Sequence, residues 1–229
     1  MLDALRDEVL AANLALPGHG LVKLTWGNVS GIDRARGLVA IKASGVAYEH
    51  MCAEDIVLVD LDGGEVVHGD RRPSTDTPTH LALYRAFEAV GGIVHTHSTW
   101  ATAWAQAERE IPLLGTTHAD LMAAAVPLTR ALTDEEVQGD YEGATGTVLI
   151  EAVGDHPLER PCVLVRGHAP FCWGRDAAAA VEIAVTLEEV ARLALLTTVL
   201  EPGAGPLAEA VRKKHYERKH GPASYYGQP

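Results

Sequence analysis

The chain has 229 residues, 47% apolar and 22% charged, with 19 Lys and Arg against 31 Asp and Glu and a formal charge of −12. This is the mix of an ordinary globular chain, long enough to bury a core without disulfides. The excess of acid argues against nucleic acid or an anionic membrane as a general partner.

The elements follow in chain order. Met1 to Glu8 is charged and lacks an apolar signal core, which predicts a cytoplasmic protein. Leu2, Leu5, Val9, Leu10 and Leu14 recur at helical spacing over 2–16, and Pro17-Gly18 stops the pattern. Gly27-Asn28-Val29-Ser30-Gly31 has turn composition. Leu38 to Lys42 and Ile56 to Asp60 are predicted strands, and Asp62-Gly63-Gly64 before Glu65 is a hairpin signal. Arg71 to Asp76 is a loop, and Thr77-Pro78 opens a helix running to about Ala89. Ile93 to His97 is a short predicted strand, with helices following at about 99–108 and 118–125. Thr133 caps an acidic first turn. Val148 to Glu151 and Val163 to Val165 are apolar runs of strand type. Helices over 176–200 and about 206–219 complete the chain; Glu182, Glu188, Glu189 and Arg192 make the first a packed helix and not a membrane span. Cys52, Cys162 and Cys172 are expected to stay reduced. Interleaved elements with hairpin-linked strands predict a single domain over 1–229, an α/β/α sandwich around a mainly antiparallel sheet.

Eleven histidines are many for such a chain. His95 and His97 alternate at strand spacing, so their imidazoles can converge on one ion. His168 follows another predicted strand, and Asp76 lies in a loop before a helix. Three neutral imidazoles and a carboxylate suit Zn²⁺; spacing alone leaves open whether His168 and Asp76 reach the pair. Gly27-Asn28, Ser44-Gly45 after Lys42, and Ser74-Thr75 before a helix start each offer N–H or hydroxyl groups to an anion. Taken singly, each is also an ordinary turn.

Six separated segments together resemble the class II aldolase/epimerase family. They are Leu24 to Ser30, Lys42-Ala43-Ser44-Gly45, Pro73 to His80, Gly92 to Ser98, Gly115 to Asp120, and the tail Tyr225-Tyr226-Gly227-Gln228. The resemblance implies an α/β/α fold and zinc held by His95, His97 and His168, with Asp76 as a more labile ligand; Mn²⁺ or Co²⁺ suit the same ligands. It implies substrate phosphate in the Gly27-Asn28, Ser44-Gly45 and Ser74-Thr75 loops, with Lys42 nearby. Asp120 and Tyr226 take the place of the proton-transferring pair, from neighbouring subunits of a homotetramer. His215 and Arg218 match positions that reach toward the neighbour's site. Thr75 stands where the family pattern has Ser, and Ala169 where it has Gly.

The activity implied is 4-epimerisation of L-ribulose 5-phosphate to D-xylulose 5-phosphate. C4 is not alpha to the carbonyl, so direct deprotonation there is poor chemistry. Cleaving C3–C4 in the retro-aldol sense, turning the aldehyde and re-forming the bond inverts C4. Zinc supplies a Lewis acid for the enediolate, and an anchored phosphate keeps the aldehyde from leaving. The alternative is a class II sugar-phosphate aldolase, acting on fuculose- or rhamnulose-phosphate-like substrates. Family aldolases place Glu where this chain has Asp76, which favours the epimerase. An adducin-like interaction domain is disfavoured, because such domains lose the ligands present here.

Overall fold

The computed structural model describes residues 2–222 and 224–226, apart from the side chain of Leu2. Gln228 of the tail motif lies outside the described residues. The strands are β1 (Asn28–Asp33), β2 (Leu38–Lys42), β3 (Ile56–Asp60), β4 (Val66–His68), β5 (Gly92–His95), β6 (Cys162–Leu164) and β7 (Pro170–Gly174). They form one sheet in the order β4-β3-β2-β1-β5-β7-β6, and every strand pair is antiparallel. The helices are α1 (Leu2–Gly18), α2 (Thr77–Ala86), α3 (Thr99–Gln106), α4 (Thr116–Leu121), α5 (Asp134–Gln138), α6 (Tyr141–Val153), α7 (Ala177–Leu200) and α8 (Glu209–His220).

Strand alternation divides the core into two layers. Val29, Ala40, Leu58, Val94, Cys162, Leu164 and Cys172 face one side, where Val9 and Leu16 of α1, Trp104 of α3 and Leu187 of α7 cover them. Val39, Val59, Ile93, Val163, Phe171 and Trp173 face the other, under Leu81, Leu83 and Tyr84 of α2 and Leu149 and Val153 of α6. Helices on both faces of an antiparallel sheet make the expected α/β/α sandwich. No described helix is long and apolar enough to cross a membrane. The three cysteines are free; Cys162 and Cys172 face each other across β6 and β7.

Several local expectations need correction. The turn-like segment at 27–31 enters strand β1. Buried Asn13 on α1 receives the Val29 N–H at 2.9 Å and donates to the Val29 carbonyl at 3.0 Å, standing in for a neighbouring strand. Gly31 is required by packing: a Cβ there would lie 2.9 Å from Val9 Cγ2. The apolar run at 148–151 lies inside α6, which Asp140 caps through the Gly143 N–H. A short apolar run does not distinguish a strand from a buried helix face. Strand β5 ends at His95, so His97 lies just beyond it. Pro170–Gly174, given no element from sequence, is β7, and α4 begins at Thr116 rather than 118.

Glu188 on α7 anchors the segment after His97. Its two carboxylate oxygens accept from the Trp100 and Ala101 N–H groups at 2.8 and 3.0 Å, at the start of α3. Charge-assisted bonds of this kind contribute about 1.5–3 kcal/mol. Glu188→Ala is therefore expected to destabilise the fold by about 2 kcal/mol in urea titration, and Glu188→Gln by less, since one acceptor remains. Equal stability of Glu188→Ala and the parent chain would contradict this role.

Candidate active site

The end of β5 and the turn between β6 and β7 bring His95, His97 and His168 together, with ligand atoms within 4.8 Å of one another. His95 Nε2 and His168 Nε2 each lie 3.2 Å from His97 Nε2. A tetrahedral ion bound at about 2.0–2.1 Å spaces its nitrogens about 3.3–3.4 Å apart, so the cluster has metal-site dimensions. The Pro170 carbonyl lies 3.0 Å from His95 Nδ1 and accepts its proton, leaving Nε2 as a bare lone pair. Phe171 stacks on the His95 ring with centroids 4.2 Å apart. Burial pushes the His168 imidazole down to about 4, with His95 and His97 adding to the effect. Burial likewise lowers His97. Neutral imidazoles are the form that ligates. In the β6–β7 turn Gly167 has φ +68. Ala169 is not among the described non-glycine residues with positive φ. The left-handed position is thus filled by Gly167, and Ala169 leaves the turn unstrained.

A cavity of about 660 Å³ opens beside the imidazoles. Gly27, Asn28, Lys42, Ser44, Gly45, Ser74, Thr75 and Asp76 all line it. Asn28 donates to Asp76 Oδ2 at 2.6 Å and to Ser74 Oγ at 3.1 Å, and its own Oδ1 is buried without a protein partner among the described residues. Asp76 lies outside the tight imidazole cluster. Burial raises its pKa, but His95, His80 and the Asn28 hydrogen bond outweigh this and hold it below the usual range. Lys42, at the end of β2, is buried, 2% exposed, over the Tyr48 ring at 5.3 Å. Burial lowers its pKa against the pull of Asp55 and Asp76. The Ser44 and Ser74 N–H groups are taken by the Arg72 and Lys42 carbonyls. The Gly45 and Thr75 N–H groups have no backbone partner among the described residues. Trp26, Tyr141 and Glu142 also line the cavity and were not foreseen. Assigning 148–151 to a strand hid the start of α6; Asp140 three residues before Gly143 was the available signal.

Asp120 and Tyr226 do not line this cavity. Asp120 on α4 is clamped by α8. Its Oδ1 accepts from Arg218 Nε at 2.9 Å and lies 3.1 Å from His215 Nδ1, and its Oδ2 accepts from Arg218 Nη2 at 2.5 Å. Burial raises its pKa, but the Arg218 and His215 hydrogen bonds prevail and hold it low. The exposed Tyr226 ring lies 4.8 Å from the Arg218 guanidinium and 4.5 Å from Lys219 Nζ. The fold therefore gathers these residues in one polar corner, separate from the imidazole-lined cavity of the same chain.

His118 is buried, with Nε2 2.9 Å from the Ala124 carbonyl, and serves the loop after α4. Burial pushes His118 down to about 4 and His80 down to about 3, from an ordinary value of 6.5. Below 6.5 the unfolded chain binds protons that these folded imidazoles refuse. Their contribution is whole above that value and is lost as pH falls toward 4, at about 1.4 kcal/mol per pH unit for each. Urea midpoints are expected to drop steadily from pH 7 to 5; an unchanged midpoint would show that the two rings are not held neutral.

Residues 7–195 match the family model described as Class II Aldolase and Adducin N-terminal domain. The chain is 56% identical over 228 residues to the L-ribulose-5-phosphate 4-epimerase UlaF of Salmonella paratyphi A, covering 99% of this chain and 100% of that protein. The match to the same-named protein of Salmonella typhi has equal identity and coverage. Among solved structures, an L-fuculose 1-phosphate aldolase aligns with a TM-score of 0.78 at 25% identity, covering 94% of this chain and 95% of its own. The L-fuculose-1-phosphate aldolase of Thermus thermophilus aligns with a TM-score of 0.69 at 26% identity, over 90% of this chain and all of its own.

Proposed function

The chain belongs to the class II aldolase and adducin family, and from that membership we propose that it is a metal-dependent isomerase converting L-ribulose 5-phosphate to D-xylulose 5-phosphate. The observation that carries this is a single cavity with three convergent imidazoles and an array of anion-directed N–H, hydroxyl and ammonium groups. Full-length similarity to proteins named as 4-epimerases supports the choice of substrate. The aldolase alternative draws on fold similarity at lower identity.

His95, His97 and His168 would hold a divalent ion, Zn²⁺ or an equivalent, with Asp76 as a labile fourth ligand. When bound, the ion supplies a Lewis acid for the enediolate left by C3–C4 cleavage. The Gly45 and Thr75 N–H groups, the Ser44 and Thr75 hydroxyls and Lys42 clamp the phosphate; Asn28 and Ser74, whose donors go to Asp76 and to each other, line the same pocket and would turn a donor to the phosphate by exchanging those bonds. That clamp keeps the aldehyde fragment in place while it turns its other face. Inversion needs proton transfer on both faces of C4. Asp120 of one subunit, held ionised by Arg218, accepts the proton of the C4 hydroxyl; Tyr226 of another subunit returns one on the opposite face, since within one chain both sit on Arg218. Neither lines the cavity of its own chain, which supports sites shared between subunits of a homotetramer. His215 then contacts substrate beside Asp120. A chain of this kind acts in the cytoplasm.

A coupled assay for D-xylulose 5-phosphate, run beside an assay for released aldehyde, tests the reading. Epimer is expected to form at least tenfold faster than free aldehyde. Aldehyde as the main product would make the chain an aldolase.

A further inference from the structure

Behind the imidazole cluster lies a buried polar chain that the proposed reaction does not use. His80 on α2 has no exposed surface, and its Nδ1 lies 2.7 Å from Ser30 Oγ. Ser30 Oγ lies 2.8 Å from the Tyr84 hydroxyl. Tyr84 is likewise fully buried. His80 Nε2 is buried with no hydrogen-bond partner among the described residues. The ring packs edge-on against Phe171, which stacks on His95.

Hydrogen-bond direction fixes the tautomer. A buried phenol must donate its proton; the Ile93 backbone N–H can only donate to the Tyr84 oxygen, so the proton goes to Ser30. Ser30 then donates onward to His80 Nδ1, which must be a bare acceptor. The proton of the neutral imidazole is left on Nε2. The reverse direction would strand two groups, the Tyr84 O–H and the Nε2 lone pair, instead of one.

Asp76 is a carboxylate close enough to couple electrostatically with that imidazole. It precedes α2 as its N-cap, and His80 donates its backbone N–H to the Asp76 carbonyl at 3.1 Å. The two side chains therefore stand one helical turn apart on the same face. The hydrogen bonds to Asp76 from Asn28 and Ser74 both fall on Oδ2. Oδ1 has no hydrogen-bond donor among the described residues.

We propose that His80 is a positioning residue: its Nε2–H, through one buried water, holds the Asp76 carboxylate turned toward the imidazole cluster. A buried water with two or more polar partners is the usual way such a group is satisfied. Tyr84 and Ser30 serve to fix the His80 tautomer. The inference rests on the reading of Asp76 as a ligand of the proposed metal.

Two measurements on the full chain test it. In metal-stripped protein, histidine ¹⁵N shifts are expected to show His80 neutral and protonated on Nε2 from pH 6 to 9. The Nδ1–H tautomer would overturn the proposal. Zinc affinity is then compared in His80→Asn and His80→Gln. Asn keeps a group facing Ser30 but loses the donor at the Nε2 position; Gln places an amide N–H there. His80→Asn is expected to bind zinc ~10-fold or more weakly, the usual cost of a lost supporting contact, and His80→Gln within about threefold of the parent. Equal losses in both variants, as simple packing damage would give, overturn it. A parent chain that takes up no zinc would overturn the metal reading instead, and the tautomer would still decide the role of His80.

Discussion

Replacing His97 by Asn is expected to leave a folded protein with no bound zinc and no measurable epimerisation. His97 Nε2 is the atom both other imidazoles face, each at 3.2 Å. Asn fills much of the same space but ends short of that position. Two imidazoles and a labile carboxylate are a poor site for a four-coordinate ion. Without the Lewis acid the developing enediolate loses its main counter-charge. Turnover should fall by about 10³-fold or more, equivalent to about 4 kcal/mol of transition-state stabilisation. Metal content by atomic absorption and the coupled assay check both parts. A metal-free variant with full activity would remove the imidazole cluster from the chemistry.

Asp120→Asn should separate proton transfer from metal binding. Asp120 lies on α4 with Arg218 and His215 on its carboxylate, outside the cavity that holds the imidazoles. Zinc content is therefore expected to match the parent. Epimerisation should fall by about 10²–10⁴-fold, the range for loss of a positioned acid or base. The substitution also weakens the clamp on α8, because Asn accepts fewer charge-assisted bonds from Arg218. Amide exchange in α8 reports that effect separately. A variant with a loosened α8 but an unchanged rate would leave Asp120 as a clamp alone.

Strands β2 and β5 were legible in the sequence because their residues alternate sides: Val39 and Ala40, and Ile93 and Val94, face opposite layers. Strand β7 was not seen, although Phe171 and Cys172 alternate in the same way. The segment Val148 to Glu151 was not legible, since four apolar-rich residues fit either period. Its helix is decided by the Asp140 cap and by packing against α2. The entry into β1 was hidden by its glycines: Gly31 makes room for Val9 rather than a turn. The His95-Thr96-His97 pair was visible from spacing, although His97 lies past the strand end. Lys42 and Asn28 were visible as residue types, but not their burial. Tyr141 and Glu142 could not be placed, because the helix that delivers them to the cavity was not seen. Asp120 and Tyr226 came from family resemblance alone. Their meeting around Arg218 depends on α8 folding back onto α4, a contact between segments about 100 residues apart, beyond the reach of any local pattern.

The most direct test follows L-ribulose 5-phosphate with the zinc-loaded chain in D₂O by NMR. Carbon–carbon cleavage and re-addition never breaks the C4–H bond. D-Xylulose 5-phosphate is expected to accumulate with its original hydrogen at C4. Solvent deuterium at C4 of the product, or no product at all, would contradict it.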